Sequence, residues 1–200
     1  MSARDDGVEA NNRLTASAGA IIFVLLAIEG VTVLSVHSLL RLHVIVGMVL
    51  MPVVLLKMAT TTYRGARYYL RTPSYRRRGP PPLLLRGLGP VVVVSTVAVL
   101  VTGVALLLLG PKHRTPWLPI HKVSFIVWFA VMTVHVLGHI VETIRVAPRD
   151  WTGHRPRLAG TGVRRAAVGI ALVVGVVLAV LVEPSVTSWL EARRHLPIDG

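Results

Sequence analysis

The chain has 200 residues, 53% of them hydrophobic, a formal net charge of +13 and no cysteine. Without cysteine there are no disulfides, no iron–sulfur ligation, no covalent c-type haem attachment and no thiolate catalysis. So strong a positive charge suits nucleic acid or an anionic membrane surface, and its distribution along the chain decides between them.

Five stretches are apolar and long enough to cross a hydrocarbon core about 30 Å thick. The first runs from Thr15 to Val36. The leader before it carries Asp5, Asp6 and Glu9, a poor n-region, and no small-residue cleavage motif follows, so a retained helix is expected and not a signal peptide. Its one well-buried acid is Glu29, about two turns from the outer end. A carboxyl there is placed to accept a hydrogen bond from a ligating imidazole, to pass protons, to contact a quinone or to remain a protonated structural group.

His37 falls in the short turn that follows and reads as a wetted surface residue. The second stretch, Ser38 to Thr61, carries His43, Gly47, Pro52 and Lys57. Pro52 frees a carbonyl and is expected to kink this helix. The loop from Thr62 to Gly89 is rich in Tyr, Arg and Pro. Tyr63, Tyr68 and Tyr69 suit an interfacial belt, and Arg64, Arg67 and Arg71 recur at helical spacing, so a helical extension at the headgroups is expected, closed at Pro80–Pro82.

The third stretch, Val91 to Leu109, has no ionisable residue. The fourth, Pro119 to Ile144, carries His121, His135, His139 and Glu142. A second basic loop, Arg145 to Arg165, leads to the fifth, Ala166 to Val182. That stretch is uniformly apolar with Gly169 and Gly175 and reads as scaffold or a subunit contact. The tail LEARRHLPIDG reads as a short polar end.

The basic residues concentrate in the two long loops. Under the positive-inside rule both loops and the N-terminus are cytoplasmic and the C-terminus lies outside. The charge then answers to topology and anionic lipid, and no nucleic-acid role is expected. The fold expected is all-α: residues 1–200 as one polytopic plasma-membrane domain of five transmembrane helices. The second and fourth helices are parallel in this topology.

His43 and Lys57 lie fourteen positions apart, and so do His121 and His135. Fourteen helical residues advance about 21 Å and return to within roughly 40° of the starting face. Two nitrogen-bearing side chains on one face at matched depths, on two parallel helices, suit haem gripped between facing imidazoles. His43 and His121 form the complete outer pair, with Gly47 one turn below His43 to admit a ring. The stripe His121, Phe125, Trp128, Met132, His135, His139 supplies an apolar wall. The inner pair sets Lys57 against His135, and a lysine near the interface more readily snorkels or pairs with Glu142 than ligates iron.

Two other readings stand beside this one. The buried histidines are polar glue in a haem-free anchor or assembly subunit, or His135, His139 and Glu142 (H-x-x-x-H-x-x-E) serve a metal- or proton-handling membrane protein. The residue after His135 is Val136, so the H-E-x-x-H general base is missing.

The helix pair resembles the transmembrane b-type cytochromes, namely the cytochrome b561-like and formate dehydrogenase gamma-subunit-like four-helix haem bundles, over about Thr15 to Ile144. The segment HVIVGMVLMPVVLLKMATTTYRGARYY also looks like an uncharacterised actinobacterial membrane family. The cytochrome resemblance implies four of the five helices in an up-and-down bundle that binds haem b. It also implies His121 and His135 as the paired positions of one helix and His43 as the outer ligand of the other. Lys57 stands where a second histidine would complete a dihaem pattern, so one haem is expected, with His135 as the position of a second iron if there are two. The implied function is an electron-transfer subunit of an oxidoreductase, working with a quinone or a periplasmic redox partner subunit, in the bilayer and in an oligomer if partners require it.

Overall fold

The computed structural model describes residues 3–77, 83–151 and 158–195. The expected stop at Pro80–Pro82 lies outside them, as do Arg78, His154, Arg155 and Arg157. Among the described residues seven α-helices follow one another: α1 (Ala3–Leu34), α2 (Val36–Tyr69), the short α3 (Pro73–Arg77), α4 (Leu83–Leu109), α5 (Arg114–Val146), α6 (Thr161–Leu181) and α7 (Glu183–His195). Among the described residues α1, α2, α4, α5 and α6 are long and apolar enough to cross a membrane. Helices satisfy their own backbone polar groups, which is why an apolar chain of this kind adopts them in lipid. Their outward side chains, such as Val94, Ile126, Leu137 and Val177, are exposed hydrocarbon suited to acyl chains.

The helix breaks have local causes. Between α1 and α2 Ser35 leaves helical angles (φ −136°), and its carbonyl accepts the amides of Ser38 and Leu39 at 3.0 and 2.9 Å. The chain therefore reverses in a few residues and the two helices form a tight hairpin. Gly110 (φ +77°) ends α4 in the left-handed region that glycine alone enters freely, and Pro111 follows it.

Three expectations change. The first helix begins well before the apolar run expected from Thr15, because α1 is already helical from Ala3 and takes in the polar leader. Within α2 the backbone stays helical through Pro52 and departs from helical angles at Leu39, near the α1–α2 turn. The short polar end expected from Leu190 belongs, up to His195, to a further helix: Glu183 to His195 form α7, whose Val186 is fully buried against Met48, Leu107 and Ala179.

Packing proceeds by hairpins. α1 lies on α2, α4 on α5, α6 against α2, and α1 also meets α5. Gly175 brings α6 onto the backbone of α2, since a Cβ there would lie 2.6 Å from the Val49 Cα. No such neighbour faces Gly169. The dry core sits between α1, α2 and α6, around Ala18, Ile22, Leu50, Val53 and Ala171. α1, α2, α4 and α5 instead surround a large cavity to which α6 contributes nothing.

At the end of the bundle away from the α1–α2 turn, the helices are tied by ions. The Asp150 carboxylate, its side chain 2% exposed, takes hydrogen bonds from Arg164 (Nη2 to Oδ1, 2.9 Å; Nε to Oδ2) and from Arg13 (3.2 Å). Arg165 donates through Nε to the Asp150 carbonyl at 2.8 Å. Glu9 accepts from Arg13 at 3.1 Å and Arg149 at 2.9 Å, and Trp151 donates to Ser17 at 3.2 Å. These contacts hold the start of α1 to the ends of α5 and α6. Several arginines ascribed to topology thus have structural partners.

Candidate functional site

The cavity has a volume of about 1110 Å³ and a mainly apolar lining. Ligand sites usually run from about 300 to 1,000 Å³, so this one would take a large group. The α5 stripe read from the sequence lies along it: His121, Phe125, Trp128, Met132, His135 and His139 all line the wall. Trp128 is fixed there by an Nε1–H bond to the Thr96 hydroxyl at 3.0 Å. His43, Gly47, Lys57 and Glu29 line the same cavity from α1 and α2.

At the level nearer the α1–α2 turn, the outer level under the charge rule, His43 and His121 border the cavity from different hairpins. Each is anchored to the helix that precedes its own. The Nδ1 of His43 lies 2.8 Å from Glu29 Oε1 and 3.2 Å from the hydroxyl of the fully buried Thr32. Thr32 spends its own proton on the Glu29 carbonyl at 2.7 Å, so its oxygen, like the carboxylate, accepts from the imidazole. The Nδ1 of His121 lies 3.1 Å from Thr102 Oγ1. That hydroxyl donates back to the Ala98 carbonyl at 2.7 Å, which again makes the imidazole the donor.

The consequence is a tautomer. In a neutral ring, a proton held on Nδ1 leaves the lone pair on Nε2, and both rings have an acceptor beside Nδ1. This is the arrangement of metal-ligating histidines, whose second nitrogen is tied to a carboxylate, carbonyl or hydroxyl.

Gly103, next to Thr102, lets the His121 ring lie on the α4 backbone; an added Cβ would meet Cε1 at 3.0 Å. Gly47 has a looser setting, with its nearest neighbour, Glu29 Oε1, 3.8 Å from a Cβ built there. Thr32, Thr102 and Gly103 were not singled out from the sequence. Their signal is weak, because threonine and glycine are common in membrane helices.

The inner level is arranged differently. Lys57 does not snorkel outward: its Nζ donates to the Thr15 carbonyl of α1 at 3.3 Å. Gly19 makes the space for it, since a Cβ would stand 2.8 Å from that nitrogen. His135 and His139 lie ring to ring, centroids 4.8 Å apart, and His135 Nδ1 is buried with no hydrogen-bond partner among the described residues. Glu142 is exposed and lies off the cavity wall. Among the described residues no group of three or more His, Asp or Glu side chains converges as a metal ion would need.

The remaining histidines sit apart. His37 is exposed at the outer rim of the cavity, and His113 Nδ1–H donates to the Leu109 carbonyl at 2.9 Å, closing the end of α4. No protein-family model, no curated protein and no solved structure matches this chain.

Proposed function

We propose that this chain is a b-type cytochrome subunit of a membrane oxidoreductase, holding one haem between His43 and His121. One observation carries the reading. Two imidazoles from separate hairpins face one apolar cavity, each with Nδ1 committed to a partner and Nε2 left for a ligand. The cavity walls fit a porphyrin: Gly103 brings a ring onto the helix backbone, and Phe125, Trp128 and Met132 offer flat or adaptable hydrocarbon. Haem supplies one-electron transfer when bound, and two histidine ligands leave no open position for oxygen. The protein's share is to fix both imidazoles in one tautomer, to keep water from the ring faces, and to place a carboxylate, Glu29, behind one ligand.

The basic loops support an orientation in the plasma membrane with the N-terminus cytoplasmic, which sets the His43–His121 level near the outer face. A redox partner subunit on that side, or a quinone in the bilayer, is the matching electron partner. Lys57, occupied with Thr15, is poorly placed to complete an inner site with His135. The haem-free anchor accounts for the bonds that tie α1 to α2 and α4 to α5, but it leaves the large apolar cavity between the two hairpins without a purpose. A metal centre on His135, His139 and Glu142 is less well supported, since Glu142 does not line the cavity that the two histidines border. Purified protein from haem-sufficient cells tests the reading: a pyridine haemochrome assay should count one haem b per chain. A colourless preparation contradicts it.

A further inference from the structure

The outer mouth of the cavity is cationic. Arg114 and Lys122 of α5 and Arg193 of α7 line it together with His37. Among the described residues the sole carboxylate on the cavity wall is Glu29, which is engaged by His43. Among the described residues no acidic side chain pairs with Arg114, Lys122 or Arg193, whereas Arg41 pairs with Glu183 at 3.1 Å.

α7 is held firmly over this end. Val186 is buried, Trp189 Nε1–H reaches the Leu107 carbonyl at 3.4 Å, and Arg193 donates to the Val36 carbonyl at 3.4 Å. Cations at the lip of an apolar cavity are costly to desolvate unless an anion meets them, and the depth behind them suits hydrocarbon. The complement is an amphiphile that carries its acid groups at one edge.

Resting on the haem reading above, we infer that Arg114, Lys122 and Arg193 clamp the two propionate carboxylates of haem. The carboxylate edge then faces the outer mouth and the apolar edge faces the inner half of the cavity. Arg114 lies two turns, about 10 Å, beyond His121 on the same helix face, a distance suited to a ring edge held outward from its axial ligand. Guanidinium groups present paired N–H donors to a carboxylate, so two arginines and a lysine can hold two of them. α7, outside the four helices around the cavity, thereby contributes a residue to the site. A phospholipid phosphate offers related chemistry at the same mouth, and the experiment separates the two.

Haem-free protein in nanodiscs is titrated with protohaem and with its dimethyl ester, which keeps the macrocycle and removes both charges. Soret absorbance reads binding. Wild-type protein should bind the ester about tenfold more weakly, and the Arg114→Gln/Arg193→Gln double variant should bind both forms alike. Equal affinity of the wild type for both forms overturns the clamp and leaves the haem reading intact. Failure of both forms to bind overturns the haem reading itself. Bound phosphatidylglycerol is counted in the same preparations. If the double variant loses that lipid while its preference for protohaem persists, the mouth is a lipid site and the clamp is overturned. The wild-type comparison needs no substitution, so a poorly folding variant does not remove the test.

Discussion

At the outer level of the cavity both imidazoles are tied through Nδ1, His43 to Glu29 and Thr32 and His121 to Thr102. At the inner level His135 Nδ1 is buried without a partner among the described residues, and Lys57 turns to the Thr15 carbonyl of α1. The residue types are similar and the spacing along the helices is the same. What differs is the shell behind them. A side chain becomes a dependable ligand when neighbouring groups fix its tautomer and direction, and only the outer level has those neighbours on both hairpins.

The sharpest way to break this comparison is to remove ligands level by level. His43→Ala or His121→Ala should abolish the haem Soret band, whereas His135→Ala and His139→Ala should leave it in place. Bleaching by the inner changes alone would reverse the assignment.

Next in size is the ion cluster at the inner end. Asp150→Asn leaves Arg164 without its carboxylate and Arg13 with Glu9 alone, and should cost about 3–5 kcal/mol, the usual penalty for breaking a buried pair. Thermal unfolding in detergent should show a clear drop in midpoint. An unchanged midpoint would mean that these contacts are replaced by water at little cost.

The supporting shell comes third. Thr102→Val removes the acceptor of the His121 Nδ1–H while nearly keeping its shape, and should weaken haem affinity about 10- to 100-fold. Gly103→Ala forces the same ring aside through a 3.0 Å contact and should act in the same direction. Affinity is read by haem titration. The smallest effect is electronic: Glu29→Gln removes negative charge behind His43 and should raise the midpoint potential by tens of millivolts with little change in haem content.

Much of the architecture is readable in the residues themselves. Hydropathy alone marks the five long helices, and helical spacing alone groups His121, Phe125, Trp128, Met132, His135 and His139 on one face. The sequence also raised Glu29 as a partner for an imidazole, and the structure sets its carboxylate 2.8 Å from His43. The hydroxyl anchors are harder to see. Thr32 and Thr102 matter because of which helix faces them and in what register, and a local pattern holds no such information. Gly103 differs from other membrane glycines only by the ring that lies on it.

The arginines show a different limit. Arg13, Arg149, Arg164 and Arg165 satisfy a topological rule that counts charge, and that rule is silent on pairing. Asp150 lies more than a hundred residues from Arg13, so their contact becomes visible only once α1, α5 and α6 converge. α7 escaped for a related reason. Its apolar positions, Val186 and Trp189, are few in a polar segment, and their value depends on the cavity rim they cover.

The central claim is that two imidazoles share one iron, and low-temperature electron paramagnetic resonance of the ferric protein addresses it most directly. The account predicts a low-spin, bis-imidazole signal in the wild type that is lost or becomes high-spin in His121→Ala. A high-spin wild-type signal, or a low-spin signal that survives His121→Ala unaltered, would contradict it.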